Sequence, residues 1–154
     1  MSSNWESICT AWMTELTTNV SGLSTAIQHK YAPWSVEEAF AMAGERHIAI
    51  WPQGEAEAAV PYTTEPSVLA TQVYSILVWE DASQDIGRLT DNETADKAWL
   101  TLAEGIRARL LLKANISLGV VGCDTRYQGV RFDRAGAGRM MEVSFRVQLG
   151  YSYA

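Results

Sequence analysis

Residues that carry chemistry are scarce in this sequence. It has two histidines, His29 and His47, and two cysteines, Cys9 and Cys123. A nucleophilic relay of the Ser-His-Asp or Cys-His kind would have to use one of those histidines. No Gly-x-Ser-x-Gly elbow is present. Neither cysteine has a neighbour at metal-ligand spacing, and a single bridge is no disulfide framework. Both thiols are expected reduced and packed. The regular Asp-x-Asp-x-Asp-Gly pattern of a calcium loop is missing. Apolar runs are too short to span a bilayer, so no membrane is expected. Met1-Ser-Ser-Asn4 has neither the basic start nor the apolar core of a signal peptide. The expectation is a protein kept in a cytoplasm, or in a particle assembled there. No internal repeat or low-complexity tail is present.

What is there suits one globular unit. The 154 residues are 47% hydrophobic and 19% charged. A chain of this size buries about 68–70% of its unfolded surface, enough for one core. A single domain over residues 1–154 is expected. The net charge of −6 is unevenly spread. Residues 1–91 carry 12 acids and 3 bases, and residues 92–154 carry 6 acids and 9 bases. Either the two halves neutralise each other within one fold, or copies meet acid to base in a head-to-tail ring. Overall acidity argues against tight nucleic-acid binding, which needs a basic footprint.

Periodicity sets the elements. Trp5, Ile8, Cys9, Trp12, Met13 and Leu16 form one helical stripe over residues 4 to about 20. Ser35-Val-Glu-Glu38 reads as a capping box for a short helix, Val36 to Ala43. His47–Trp51 is a short strand ended by Pro52, and 53–61 reads as a flexible loop. Thr71–Glu80 is apolar on both faces and predicts an interior strand. The acidic stretch after it, with Glu80, Asp81 and Asp85, reads as a loop. Residues 92 to about 113 form a second helix with Ala95, Trp99, Leu102, Ile106 and Leu110 as its stripe. Acids open that helix and bases close it, which suits its dipole.

The last two strands are Thr125–Phe132 and Met140–Leu149, joined by a flexible loop over 133–139. In the final strand Met141, Val143, Phe145, Val147 and Leu149 alternate with Glu142, Ser144, Arg146 and Gln148. That is the pattern of one buried and one solvated face. The class is α+β: an antiparallel or mixed sheet with helices mainly on one face.

Three groups of polar residues stand out. Glu80, Asp81 and Asp85 could bind Mg²⁺ or act as acid and base. Alternatively they form a solvated acidic loop, or meet a neighbour's arginines. Gly136-Ala-Gly138, between Arg134 and Arg139, could cradle a phosphate. It opens no helix, however, and reads better as a hairpin tip that presents interface or lumen arginines. Arg126 and Arg131 lie on the strand leading to that tip. Of six tryptophans, Trp5, Trp12 and Trp99 lie on helix stripes and are expected in the core. Trp34 and Trp51 sit beside prolines or loops, and at least one is a candidate interface anchor.

This order resembles the tail terminator and neck-connector proteins of long-tailed bacteriophages and related phage-like particles. The likeness rests on the tryptophan-bearing first helix, Tyr74-Ser-Ile-Leu-Val-Trp79 with its acidic sequel, and the long second helix. The hairpin with Arg126-Tyr-Gln-Gly129 and the final alternating strand complete it. The resemblance implies a small α+β domain whose copies, usually six, form a ring on the last ring of the tail tube. Such a ring stops tube growth and offers a surface to the head-side connector or stopper protein. Double-stranded DNA passes through the hole without sequence-specific binding. The resemblance implies no enzyme activity, cofactor or metal.

Under it, Arg126, Arg131, Arg134, Arg139, Glu80, Asp81 and Asp85 become candidate interface or lumen residues. A head-closure, connector or tail-tube subunit would fit the same pattern. So would an adaptor that binds one protein without forming rings. A small-molecule enzyme would need His29 or His47 beside Glu80, Asp81 or Asp85.

Overall fold

A computed structural model of the chain describes residues 4–30, 46–59, 67–81, 92–112, 124–135 and 138–152. The elements are helix α1 (Asn4–Asn19), a 3-10 turn (Ser21–Leu23), strands β1 (Ile27–His29), β2 (His47–Ala59) and β3 (Ser67–Asp81), helix α2 (Asn92–Leu110), and strands β4 (Asp124–Ala135) and β5 (Gly138–Ser152). One five-stranded sheet has the order β1-β2-β3-β5-β4. β1 runs parallel to β2, and every other neighbouring pair is antiparallel. The fold is α+β with a mixed sheet, as expected.

Both helices cover the same face of the sheet. From α1, Ile8, Trp12 and Leu16 join Trp99, Leu102, Ile106 and Leu110 of α2. They meet Ile48 and Ile50 of β2, Tyr74, Ile76 and Val78 of β3, and Met141, Val143, Phe145 and Val147 of β5. These positions repeat at the helix period on α1 and α2 and at every second residue on the strands, as side-chain geometry requires. Fully burying each large apolar side chain contributes about 1.5–3 kcal/mol. Trp12 anchors the cluster, with its ring 5.2 Å from that of Tyr74 and 5.6 Å from that of Phe145. Trp5, expected in the core, is 41% exposed at the start of α1.

β3 is the middle strand, and its residues from Tyr74 to Glu80 are buried on both faces. The other sheet face holds Ala49, Ser75, Leu77, Trp79 and Met140, all buried. The interior strand expected from the two-faced apolar pattern is therefore present. It starts earlier than its periodicity indicated, at Ser67.

Two expected loops are largely strand. Gln53 to Ala59, read as part of a loop over 53–61, belongs to β2 and pairs with β3 from Val73 back to Val68. A register shift between Pro52 and Gly54 takes up the proline and glycine that suggested a break. Bulges are where strands tolerate such residues. Likewise Asp133–Ala135 extends β4, and Gly138–Arg139 opens β5. Of the loop read over 133–139, residues 136–137 lie outside the described residues. In both places long cross-strand pairing outweighs weak local preference.

Glu80 and Asp81 end β3 and do not belong to the acidic loop. The second helix stops at Leu110, short of Lys113. The short helix read over Val36 to Ala43, together with Trp34 and Asp85, lies outside the described residues. β1 is an element that the sequence pattern did not announce.

Candidate functional site

The seven expected interface or lumen residues fall into two groups. Arg126 and Arg131 lie on β4, the edge strand, and both are exposed. Arg131 reaches Asp133 on its own strand at 3.3 Å and Glu142 across the ladder at 3.7 Å. Such exposed pairs contribute about 0–1 kcal/mol. Arg126 stands opposite Arg146 in the β4–β5 register. Arg134 stands opposite Arg139 near the end of the same ladder.

Glu80 and Arg139 are turned into the fold. They are opposite each other in the β3–β5 register, and Arg139 donates from Nε to Glu80 Oε1 at 2.8 Å. Arg46 donates from Nε to the other oxygen at 2.9 Å, and from Nη1 to the Gly22 carbonyl at 2.7 Å. The guanidinium carbons of Arg46 and Arg139 lie 5.6 Å and 4.9 Å from the Trp99 ring centre. One carboxylate, two guanidinia and an indole thus form a single cluster between α2 and the sheet, buried except for the half-buried Arg46. Glu80 is 2% exposed. Its carboxylate meets Arg46 and Arg139 of its own chain. Asp81 is the last residue of β3 and pairs with Gly138.

The two histidines meet each other. His29 Nε2 lies 2.8 Å from His47 Nδ1. The His47 ring stacks on Trp79 at 5.4 Å with an 8° interplanar angle, and His29 lies 5.2 Å from the same indole. Trp79 and Glu80 are adjacent on one strand, so their side chains leave on opposite faces. Of the histidine–carboxylate pairings read from the sequence, the one with Glu80 is not formed; the Asp81 side chain and Asp85 lie outside the described residues. Among the described residues no group of three or more His, Cys, Asp or Glu could hold a metal ion. Trp79 Nε1 and Ser75 Oγ are buried and have no hydrogen-bond partner among the described residues.

Two features escaped sequence reasoning. Arg46, one of three bases in the acidic half, gives no local sign that it will meet Glu80. The second is a groove of about 870 Å³ between α1 and the β1–β2 edge, lined by Trp5, Cys9, Met13, Gln28, Trp51 and Pro52 among others. Its members come from three elements, and no spacing links them. Trp51, one of the two candidate interface anchors, is 38% exposed.

No protein-family model matches the chain, and no curated protein matches it. Among solved structures, a chain from the virion of a native gene transfer agent particle has a similar fold. The two are 15% identical, with a TM-score of 0.54 over 92% of this chain and 93% of that one. At that identity the likeness is one of fold. Among the described residues no helix is long and apolar enough to cross a membrane.

Proposed function

We propose that this chain is a structural virion protein of a tailed phage or phage-like particle. Its copies form a ring at the top of the tail tube, in a tail terminator role. The ring ends tube growth and joins the tail to the head-side connector or stopper, and double-stranded DNA passes through its hole. The observation that carries this reading is the shared fold with a chain of a gene transfer agent virion, which extends over almost the full length of both chains. The sequence resemblance to tail terminators, drawn from element order, points the same way. Arg126 and Arg131, exposed on the edge strand, are the residues proposed to meet neighbouring copies or the lumen. The net charge of −6 suits a channel past which DNA slides without sticking.

The test is the mass and negative-stain image of the purified protein across concentration, with and without Mg²⁺. It is followed by addition to polymerising tail tube protein. Rings of about six copies that sit at one end of the tube and stop its growth are the expected result. A protein found along the length of the tube would be a tube subunit. A chain that stays monomeric and leaves tube length unchanged would overturn the ring.

A further inference from the structure

The two histidines are far apart in sequence and meet where β1 joins the sheet. His29 ends β1, and His47 opens β2. A three-residue parallel ladder holds β1, with Ile27 opposite His47 and His29 opposite Ala49. Ile27 and Gln28 are exposed, so His29 is the residue of β1 that enters the packing of the sheet. Its ring lies 5.0 Å from that of His47 and 5.2 Å from that of Trp79. Gln28, His29 and the following Lys30 also line one side of the groove beside α1.

One hydrogen bond joins the rings, between His29 Nε2 and His47 Nδ1 at 2.8 Å. It needs a protonated nitrogen on one ring and a lone pair on the other. Two neutral imidazoles provide that, and so does a pair carrying one extra proton. A second extra proton leaves two N–H donors face to face and two cations side by side. His47 is 5% exposed, so little water reaches it to solvate the added charge. Among the described residues, Lys30 follows His29 in the chain and adds a like charge. Glu6 of α1 lines the same groove as His29. Arg46 precedes His47 but is bonded to Glu80, whose side chain leaves the opposite face of the sheet. On the histidines' own face, Glu142 of β5 and Asp133 of β4 both lie with Arg131.

We infer that the His29–His47 bond is an acid-sensitive clasp: it holds β1 while the pair carries at most one extra proton, and a second proton releases β1 from β2 and widens the groove. The clasped state binds at most one extra proton and the released state binds two, so falling pH favours release. Histidines freed from each other titrate at about 6.5, which sets the upper limit of the window. The clasp is a property of one copy and does not depend on the ring.

Hydrogen exchange, with each rate corrected for its intrinsic pH dependence, follows the β1 amides from about pH 7.5 to about pH 4.5. Their protection should fall about tenfold or more, the linkage of one proton over one pH unit, while β3 and β5 stay protected. His29→Gln brings to His47 Nδ1 an uncharged amide that donates or accepts as required, so β1 protection in that variant should change less than about threefold. NMR of the wild-type histidine ring nitrogens reads the protons directly, and decides even if the variant does not fold. Protonation of both facing nitrogens should coincide with the loss of β1 protection. Both nitrogens protonated with β1 still protected would overturn the clasp, as would an equal loss of protection in wild type and variant. Loss of protection in β3 and β5 at the same pH would mean global unfolding and would equally overturn a local release.

Discussion

Arg139 stands across the β3–β5 ladder from Glu80 and donates to it at 2.8 Å, both side chains buried. Two residues that the sequence offered as candidates for contact with other molecules are therefore committed to each other. Arg46 completes the arrangement on the second carboxylate oxygen. Glu80→Ala leaves two guanidinia beside Trp99 without their counter-charge. Breaking a buried pair in this way costs about 3–5 kcal/mol. Urea denaturation should show a loss of that size. The wild-type interaction should persist in 1 M salt, where the Debye length is about 3 Å, because the cluster is shielded from solvent ions. A loss under 1 kcal/mol would mean that the cluster contributes little.

Two glycines should respond in opposite directions. Gly105 lies inside α2, and a Cβ there would meet Val20 Cγ1 at 3.7 Å, an ordinary contact. Gly105→Ala should raise stability by about 0.5–1 kcal/mol, since glycine in a helix interior carries an entropic cost. Gly129 sits at the register shift in β4 with φ of +148°. Space around it is open, but side-chain-bearing residues rarely adopt that backbone angle. Gly129→Ala should lower stability by about 1–2 kcal/mol. Thermal unfolding of the two variants beside the wild type tests both signs.

Trp12 touches Tyr74 and Phe145 and is 1% exposed. Trp12→Ala should cost about 3–5 kcal/mol. Trp5→Ala, removing an indole that is 41% exposed, should stay within about 0.5 kcal/mol. Equal costs would place Trp5 in the core after all.

Burial pushes the Cys9 thiol up to about 11. The thiolate is the reactive form, so Cys9 in the folded chain should resist iodoacetamide at pH 8. Unfolding in urea should restore ordinary labelling. A Cys123→Ser background isolates the signal, and mass spectrometry of the labelled peptide reads it.

Local pattern alone carried much of the fold. The 3.6-residue stripes of α1 and α2, the two-faced apolar run of β3 and the alternation of β5 are each visible within one segment. They depend only on how side chains project from helix and strand. The α+β class follows from their order. Also legible was the placing of Arg126 and Arg131 on a late strand.

Tertiary structure alone decided the rest, because pairing partners lie far apart in the chain. Residues 53–59 and 133–135 are strand because β3 and β5 lie beside them, against their own weak preferences. β1 exists because Ile27–His29 finds the start of β2. Glu80 is a core residue because Arg46 and Arg139, from two other segments, converge on it. A carboxylate at a strand end reads the same in sequence whether it meets water, a neighbour or two arginines of its own chain. The choice among them is made by desolvation and charge pairing, which arise only once the sheet has formed.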